Sequence, residues 1–129
     1  MGYYITQLDS KIFISNENKS KALQAIKTVN RRHYDWLVNN YETFLNAQSL
    51  EGGLLDWGYI SEYDVIGNII NVQIDKEKMG GEEEIFKAMS PFIEDGSYIE
   101  YRGDDGKQWK WIFEKGKMIE KVARLVYDD

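Results

Sequence analysis

The chain has 129 residues with 16 basic and 22 acidic side chains, a formal charge of −6, four Trp, nine Tyr, five Phe, one Pro and no Cys. That length accommodates one domain with a self-sufficient core, and the missing Cys excludes disulfide frameworks, cysteine zinc sites and thiol nucleophiles. With 43% hydrophobic residues the chain is no disordered acidic tail, and without a bilayer-length apolar run or a basic-then-apolar leader it is predicted to be soluble and cytoplasmic.

The charge is unevenly spread. Residues 1–33 hold six bases against two acids, residues 34–105 four against sixteen, and residues 106–129 six against four. A polyanion would find cations only at the two ends, and the acidic middle would repel it.

In chain order, Tyr3 to Thr6 and Lys11 to Ile14 are β-prone runs flanking Asp9-Ser10, which predicts an opening hairpin. Ser15 or Asn16 then caps a helix whose apolar stripe is Ala22, Leu23, Ala25, Ile26 and Val29. A second amphipathic helix carries Trp36, Leu37, Tyr41, Phe44 and Leu45 and ends near Gln48, ahead of Gly52-Gly53, with one further turn over Leu54 to Trp57. Tyr59 to Tyr63 and Ile69 to Ile74 form a second hairpin, reversing at Gly67-Asn68. After Gly80-Gly81, Glu82, Glu83 and Glu84 open a helix with the buried stripe Ile85, Phe86, Met89, Phe92 and Ile93, which Pro91 ends or kinks near Ser90.

Three strands close the chain, Ser97 to Arg102, Gln108 to Phe113 and Met118 to Tyr127, with turns at Asp105-Gly106 and Lys115-Gly116. Two-residue turns at both sites would set Arg102 opposite Trp109, Glu100 opposite Trp111 and Tyr98 opposite Phe113. One face would then collect Trp109, Trp111, Phe113, Met118 and Val122, and the other Ile99, Tyr101, Ile112, Ile119 and Leu125. The segments around Glu62-Tyr63 and Glu100-Tyr101 look like a weak internal repeat of a helix–hairpin unit. The predicted fold is therefore α+β, a single domain in which an antiparallel sheet of hairpins carries two to three helices on one face.

Residues able to carry chemistry are few. His33 is the only histidine, beside Arg31 and Arg32, and lacks a triad partner or a second metal-ligating His. The clusters Glu82 to Glu84, Glu94-Asp95 and Asp104-Asp105 have local explanations at a helix start and in turns, and Asp104-Asp105-Gly106 lacks the alternating spacing of a calcium loop. Trp109 and Trp111 alternate with Lys110 near Tyr98, Tyr101 and Arg102. That pattern suits single-stranded nucleic acid, but the preferred reading is a strand burying one face under helices, with Arg102 then stacked on Trp109. A myristoylation-like start at Gly2 and a glycosylation-like Asn18-Lys19-Ser20 fall where neither modification is expected.

The opening Gly2-Tyr3-Tyr4-Ile5 and the run from Asp95-Gly96-Ser97-Tyr98-Ile99-Glu100-Tyr101-Arg102 to Trp109-Lys110-Trp111-Ile112-Phe113 resemble small phage- and prophage-encoded proteins, in which a Gly-Tyr strand begins the chain and a Trp-x-Trp-x-Phe strand lies near its end. The resemblance covers about a third of the residues, brings no catalytic residues with it, and implies accessory proteins that bind and block another protein.

The reading is a non-enzymatic protein-binding domain without cofactor or metal, an inhibitor that presents Glu82, Glu83, Asp95, Asp104 and Asp105 to a basic cleft. One alternative is an immunity protein that neutralises a toxin. Another is a nucleic-acid-binding module using Trp109, Trp111, Arg102, Lys110 and the basic ends. A homodimer through an edge strand is also open to such a sheet, and membrane association is not expected.

Overall fold

The computed structural model describes residues 4–29, 45–75 and 82–123. Strand β1 is Ile5–Lys11, helix α1 Lys19–Lys27, helix α2 Leu50–Asp56, strands β2 and β3 Tyr59–Tyr63 and Ile69–Ile74, helix α3 Glu82–Met89, and strands β4 to β6 Tyr98–Gly103, Gln108–Glu114 and Lys117–Val122. The fold is α+β, and every strand pairing is antiparallel. The predicted Trp36–Leu45 helix lies outside the described residues up to Leu45, and so do His33 and Leu125.

The opening hairpin does not form. Asp9 and Ser10 lie inside β1, which pairs along its length with β4, from Ile5 opposite Gly103 to Lys11 opposite Tyr98. A local reversal is outcompeted because β4 offers this strand a full ladder against a buried face. The register shifts between Gln7 and Asp9, which leaves Leu8 as the extra residue of a β-bulge.

The six strands make two sheets rather than one, a four-stranded β1-β4-β5-β6 and a two-stranded β2-β3. Side chains of β1 join them. The Gln7 amide acts as a surrogate peptide group for the edge of β3, since Oε1 accepts the Ile74 N–H at 2.8 Å and Nε2 donates to the Val72 carbonyl at 2.9 Å. Ser10 Oγ donates to Asn71 Oδ1 at 2.9 Å, and Ile14 pairs with Ile69 in an isolated bridge. These bonds satisfy the backbone groups that β3 would otherwise leave open beside β1.

The helices follow from apolar spacing. In α1 the buried positions are Ala22, Leu23 and Ile26, and in α3 they include Ile85, Phe86 and Met89. Pro91 ends α3 as expected, because Ser90–Phe92 is a 3₁₀ turn with the proline in its first turn, where a missing N–H costs nothing. Helix α2 departs from expectation: Gly52 and Gly53 lie inside it. Ser49 caps its start by accepting the Gly52 N–H at 3.0 Å, and burial of Leu50 and Leu54 outweighs the glycine cost of about 1 kcal/mol each.

Phe86 is the hub between the sheets. Its ring meets Tyr59 edge-on at 5.4 Å, Trp111 at 5.8 Å and Phe113 at 6.2 Å. Tyr101 packs on Trp111 and Trp109 at 5.2 and 5.7 Å. Across β4 and β5 the register is Tyr101 opposite Trp109 and Ile99 opposite Trp111, one residue away from the predicted pairing. Ile99 and Tyr101 therefore join the tryptophan face. The slip comes from the turn: Gly103 N–H donates to the Lys107 carbonyl at 2.8 Å, and Gly106 N–H donates to the Gly103 carbonyl at 3.0 Å. Three residues thus span the reversal, with Gly106 at φ 84° in the bulge position. The β5–β6 turn does have two residues, Lys115 and Gly116 at φ 52° and 76°, and its register is the predicted one.

Candidate functional site

The predicted carboxylates do not converge. Glu82 is buried at the start of α3, against the Tyr59–Tyr101 pair, whose hydroxyls are 2.6 Å apart. Burial, with the mutual repulsion of the pair and the Glu82 charge, holds the Tyr59 hydroxyl well above its ordinary pKa. Burial does the same for Tyr101, partly offset by its bond to Tyr59. Glu82 thus belongs to the core, contrary to the exposed position expected of it; a helix-start carboxylate reads as solvated, and only the packing of α3 over both sheets encloses this one.

The other four stay at the surface. Glu83 is half exposed, with Lys87 at 3.3 Å. Asp95 is exposed and accepts the Lys115 N–H at 2.8 Å, and Asp105 accepts the Lys107 N–H at 3.0 Å beside exposed Asp104. Asp95 precedes β4 and Asp104 follows it, so the two lie at opposite ends of a six-residue strand, about 20 Å apart.

The rings of the aromatic alternative do not lie at the surface. Trp109 and Trp111 are buried, Trp111 against Phe86 of α3 and both against Tyr101, and Trp111 Nε1 donates to Glu120 Oε1 at 3.0 Å, so neither ring is open to stack on a base. Arg102 faces Gln108, not Trp109, and among the described residues it is Lys110 that lies over a ring, 5.0 Å from the centre of Tyr98. Among the described residues no group of three His, Asp or Glu side chains is placed to hold a metal, and no helix is long and apolar enough to cross a membrane. A polar groove of about 520 Å³ between α1 and α2 is lined by Lys19, Gln24, Lys27, Gln48 and Glu51, of which Lys19 and Glu51 pair at 2.7 Å.

One surface feature passed unnoticed in the sequence. The β2–β3 hairpin carries Ile60, Tyr63, Val65, Ile66 and Ile70 exposed, with Val65 fully exposed and Ile66 at 69%. Residues 59–75 contain the acids Glu62, Asp64 and Asp75 and no base. The tip is rigid for local reasons. Asp64 Oδ1 accepts the N–H groups of Ile66 and Asn68 at 3.1 and 2.9 Å, and Oδ2 accepts Asn68 Nδ2 at 3.0 Å. Partial burial works against ionisation of Asp64, but these bonds outweigh it and hold its pKa below the usual value. Asn68 Oδ1 in turn accepts the Asn16 N–H at 2.8 Å, which braces the tip against the body of the protein. The available signal was compositional: a Val-Ile pair inside a turn that favours polar residues.

No family model matches the chain, and no curated protein or solved structure is significantly similar to it.

Proposed function

We propose that this chain is a non-enzymatic accessory protein of the phage type that works in the cytoplasm by binding another protein, with an acidic surface set against a basic cleft of that partner. The observation that carries this reading is the β2–β3 tip, where Val65 and Ile66 project into solvent on a rigid turn flanked by acids and no base. An exposed apolar cluster with a charged rim is the pattern of a protein-binding anchor, and a preformed turn lowers the ordering cost of docking. Glu62 and Asp64 would steer the approach of a cationic rim, with Glu83, Asp95, Asp104 and Asp105 adding to the long-range field. The burial of Trp109 and Trp111 disfavours nucleic acid as the partner.

The test is affinity for a partner purified by co-isolation. Val65→Asp with Ile66→Asp is expected to weaken binding about a hundredfold, the scale of an anchor residue. Asp104→Asn with Asp105→Asn is expected to slow association at low salt only. Unchanged affinity in the first variant would overturn the reading.

A further inference from the structure

The outer face of the four-stranded sheet, opposite the tryptophans, carries an unusual order of charges. One row across the strands reads Asp9, Glu100, Lys110, Lys121, each residue directly opposite the next. Like charges set opposite one another destabilise a sheet, and an alternating order would have neutralised every neighbour. None of these four side chains is in an ion pair among the described residues. The adjacent row is Lys11, Tyr98, Ile112 and Ile119, with three large apolar side chains together. A shallow depression of about 210 Å³ over β5 and β6 is lined by Glu100, Lys110 and Lys121 of the charged row together with Gln108, Trp109 and Ala123. The charged row is thus acidic over β1 and β4 and basic over β5 and β6, with apolar side chains beside it.

We propose that this face is the interface between two copies of the chain, related by a two-fold axis parallel to the strands and passing between β4 and β5. That rotation places Asp9 over Lys121 of the second copy and Glu100 over its Lys110, and the reverse, while Tyr98 meets Ile112 of the other sheet. The alternative in-plane axis, across the strands, would stack acid on acid, so the charges select one orientation. The facing sheets would pack about 10 Å apart with nearly aligned strands. An edge-to-edge dimer of β6 is disfavoured by the same residues. Pairing centred on Ile119 opposes Lys117 to Lys121, and pairing centred on Glu120 opposes that carboxylate to itself. Four short strands bury little area, so the dimer is of modest affinity and sensitive to salt. The proposal is independent of the β2–β3 tip.

Sedimentation equilibrium of the full chain tests it. The wild type is expected to dimerise at low salt, with a dissociation constant rising about tenfold or more at high salt. Lys110→Glu with Lys121→Glu makes the row wholly negative, and Asp9→Lys with Glu100→Lys makes it wholly positive. Each variant alone is expected to be monomeric, and an equimolar mixture should form a heterodimer tighter than the wild-type dimer. Circular dichroism checks that both are folded; if either is not, the exposed Lys121→Glu change alone should still weaken the dimer. A wild type that stays monomeric at low salt, a dimer that both double variants retain, or a mixture that does not associate would each overturn the proposal.

Discussion

The β2–β3 and β4–β5 hairpins reverse by the same device and present opposite chemistry at their tips. In each, the first turn residue donates to the fifth and the fourth donates back to the first, as Asp64, Gly67 and Asn68 do in one and Gly103, Gly106 and Lys107 in the other. Gly67 and Gly106 both adopt positive φ, at 92° and 84°. Between the fixed points one hairpin has Val65-Ile66 and the other Asp104-Asp105. The shared backbone needs the glycine and tolerates the aspartates, whereas Val and Ile prefer strands and gain no burial here. Stability therefore accounts for one tip and not for the other, which is the physical ground for reading Val65 and Ile66 as functional.

The largest expected effect breaks the buried hairpin. Trp111→Ala removes a side chain with 1% exposure from contact with Phe86 and Tyr101, and denaturant unfolding should show a loss of about 3–5 kcal/mol. Tyr63→Ala, exposed on the other hairpin, should stay within about 0.5 kcal/mol of wild type. A comparable loss at Tyr63 would erase the distinction between the two hairpins.

The glycines sharpen the comparison. An alanine at either incurs about 1–2 kcal/mol for a left-handed backbone. At Gly67 the new Cβ would also stand 3.0 Å from Asn16 Oδ1, while at Gly106 it would meet nothing within 4 Å. Gly67→Ala should therefore cost more than Gly106→Ala, and Asn16→Ala in the same chain should remove the excess. Equal costs in thermal unfolding would show that the tip is not braced against residue 16.

The hairpins also meet at the Tyr59–Tyr101 hydroxyl pair, the one direct side-chain hydrogen bond between β2 and β4 among those described. Tyr101→Phe strands a buried hydroxyl at a cost of about 1 kcal/mol. Both folded pKa values lie above the ordinary 10.0. Their contribution is thus complete below pH 10 and is lost as pH rises from there through the folded values, because the unfolded chain releases its protons first. Replacing both tyrosines by Phe should flatten the decline of stability above pH 10 in a pH series of melts.

What could be read from the sequence divides along sequence distance. The β5–β6 register was legible because Lys115-Gly116 satisfies a two-residue turn by itself, and the α3 stripe and its end at Pro91 were legible from spacing. The β4–β5 register was missed by one residue because Asp104-Asp105-Gly106 accommodates either a two- or a three-residue loop, and the choice moves Ile99 and Tyr101 between faces. The partner of β1 was not legible because it lies some ninety residues away. Glu82 was misplaced because three successive glutamates carry no local mark of which one faces the core. Of the candidate site, the surface acids were legible as acids, but Val65-Ile66, already placed in the connection between the two strands, were read only as part of the reversal and not as an exposed apolar tip.

The smallest expected effect on stability is the most informative for function. Val65→Asp and Ile66→Asp change side chains that the fold leaves in solvent, and they bring the β2–β3 tip to the sequence of the β4–β5 tip. Since Asp64 and Asn68 hold that turn through bonds that do not involve Val65 or Ile66 side chains, melting should shift by no more than about 0.5 kcal/mol equivalent. Added charge beside Glu62 and Asp64 works slightly against folding at low salt, and that part should vanish at high salt. A variant that melts like wild type and no longer holds its protein partner separates recognition from folding at this hairpin. A variant that loses stability by several kcal/mol would mean that Val65 and Ile66 are packed in solution, and would return the tip to the structural class of its β4–β5 counterpart.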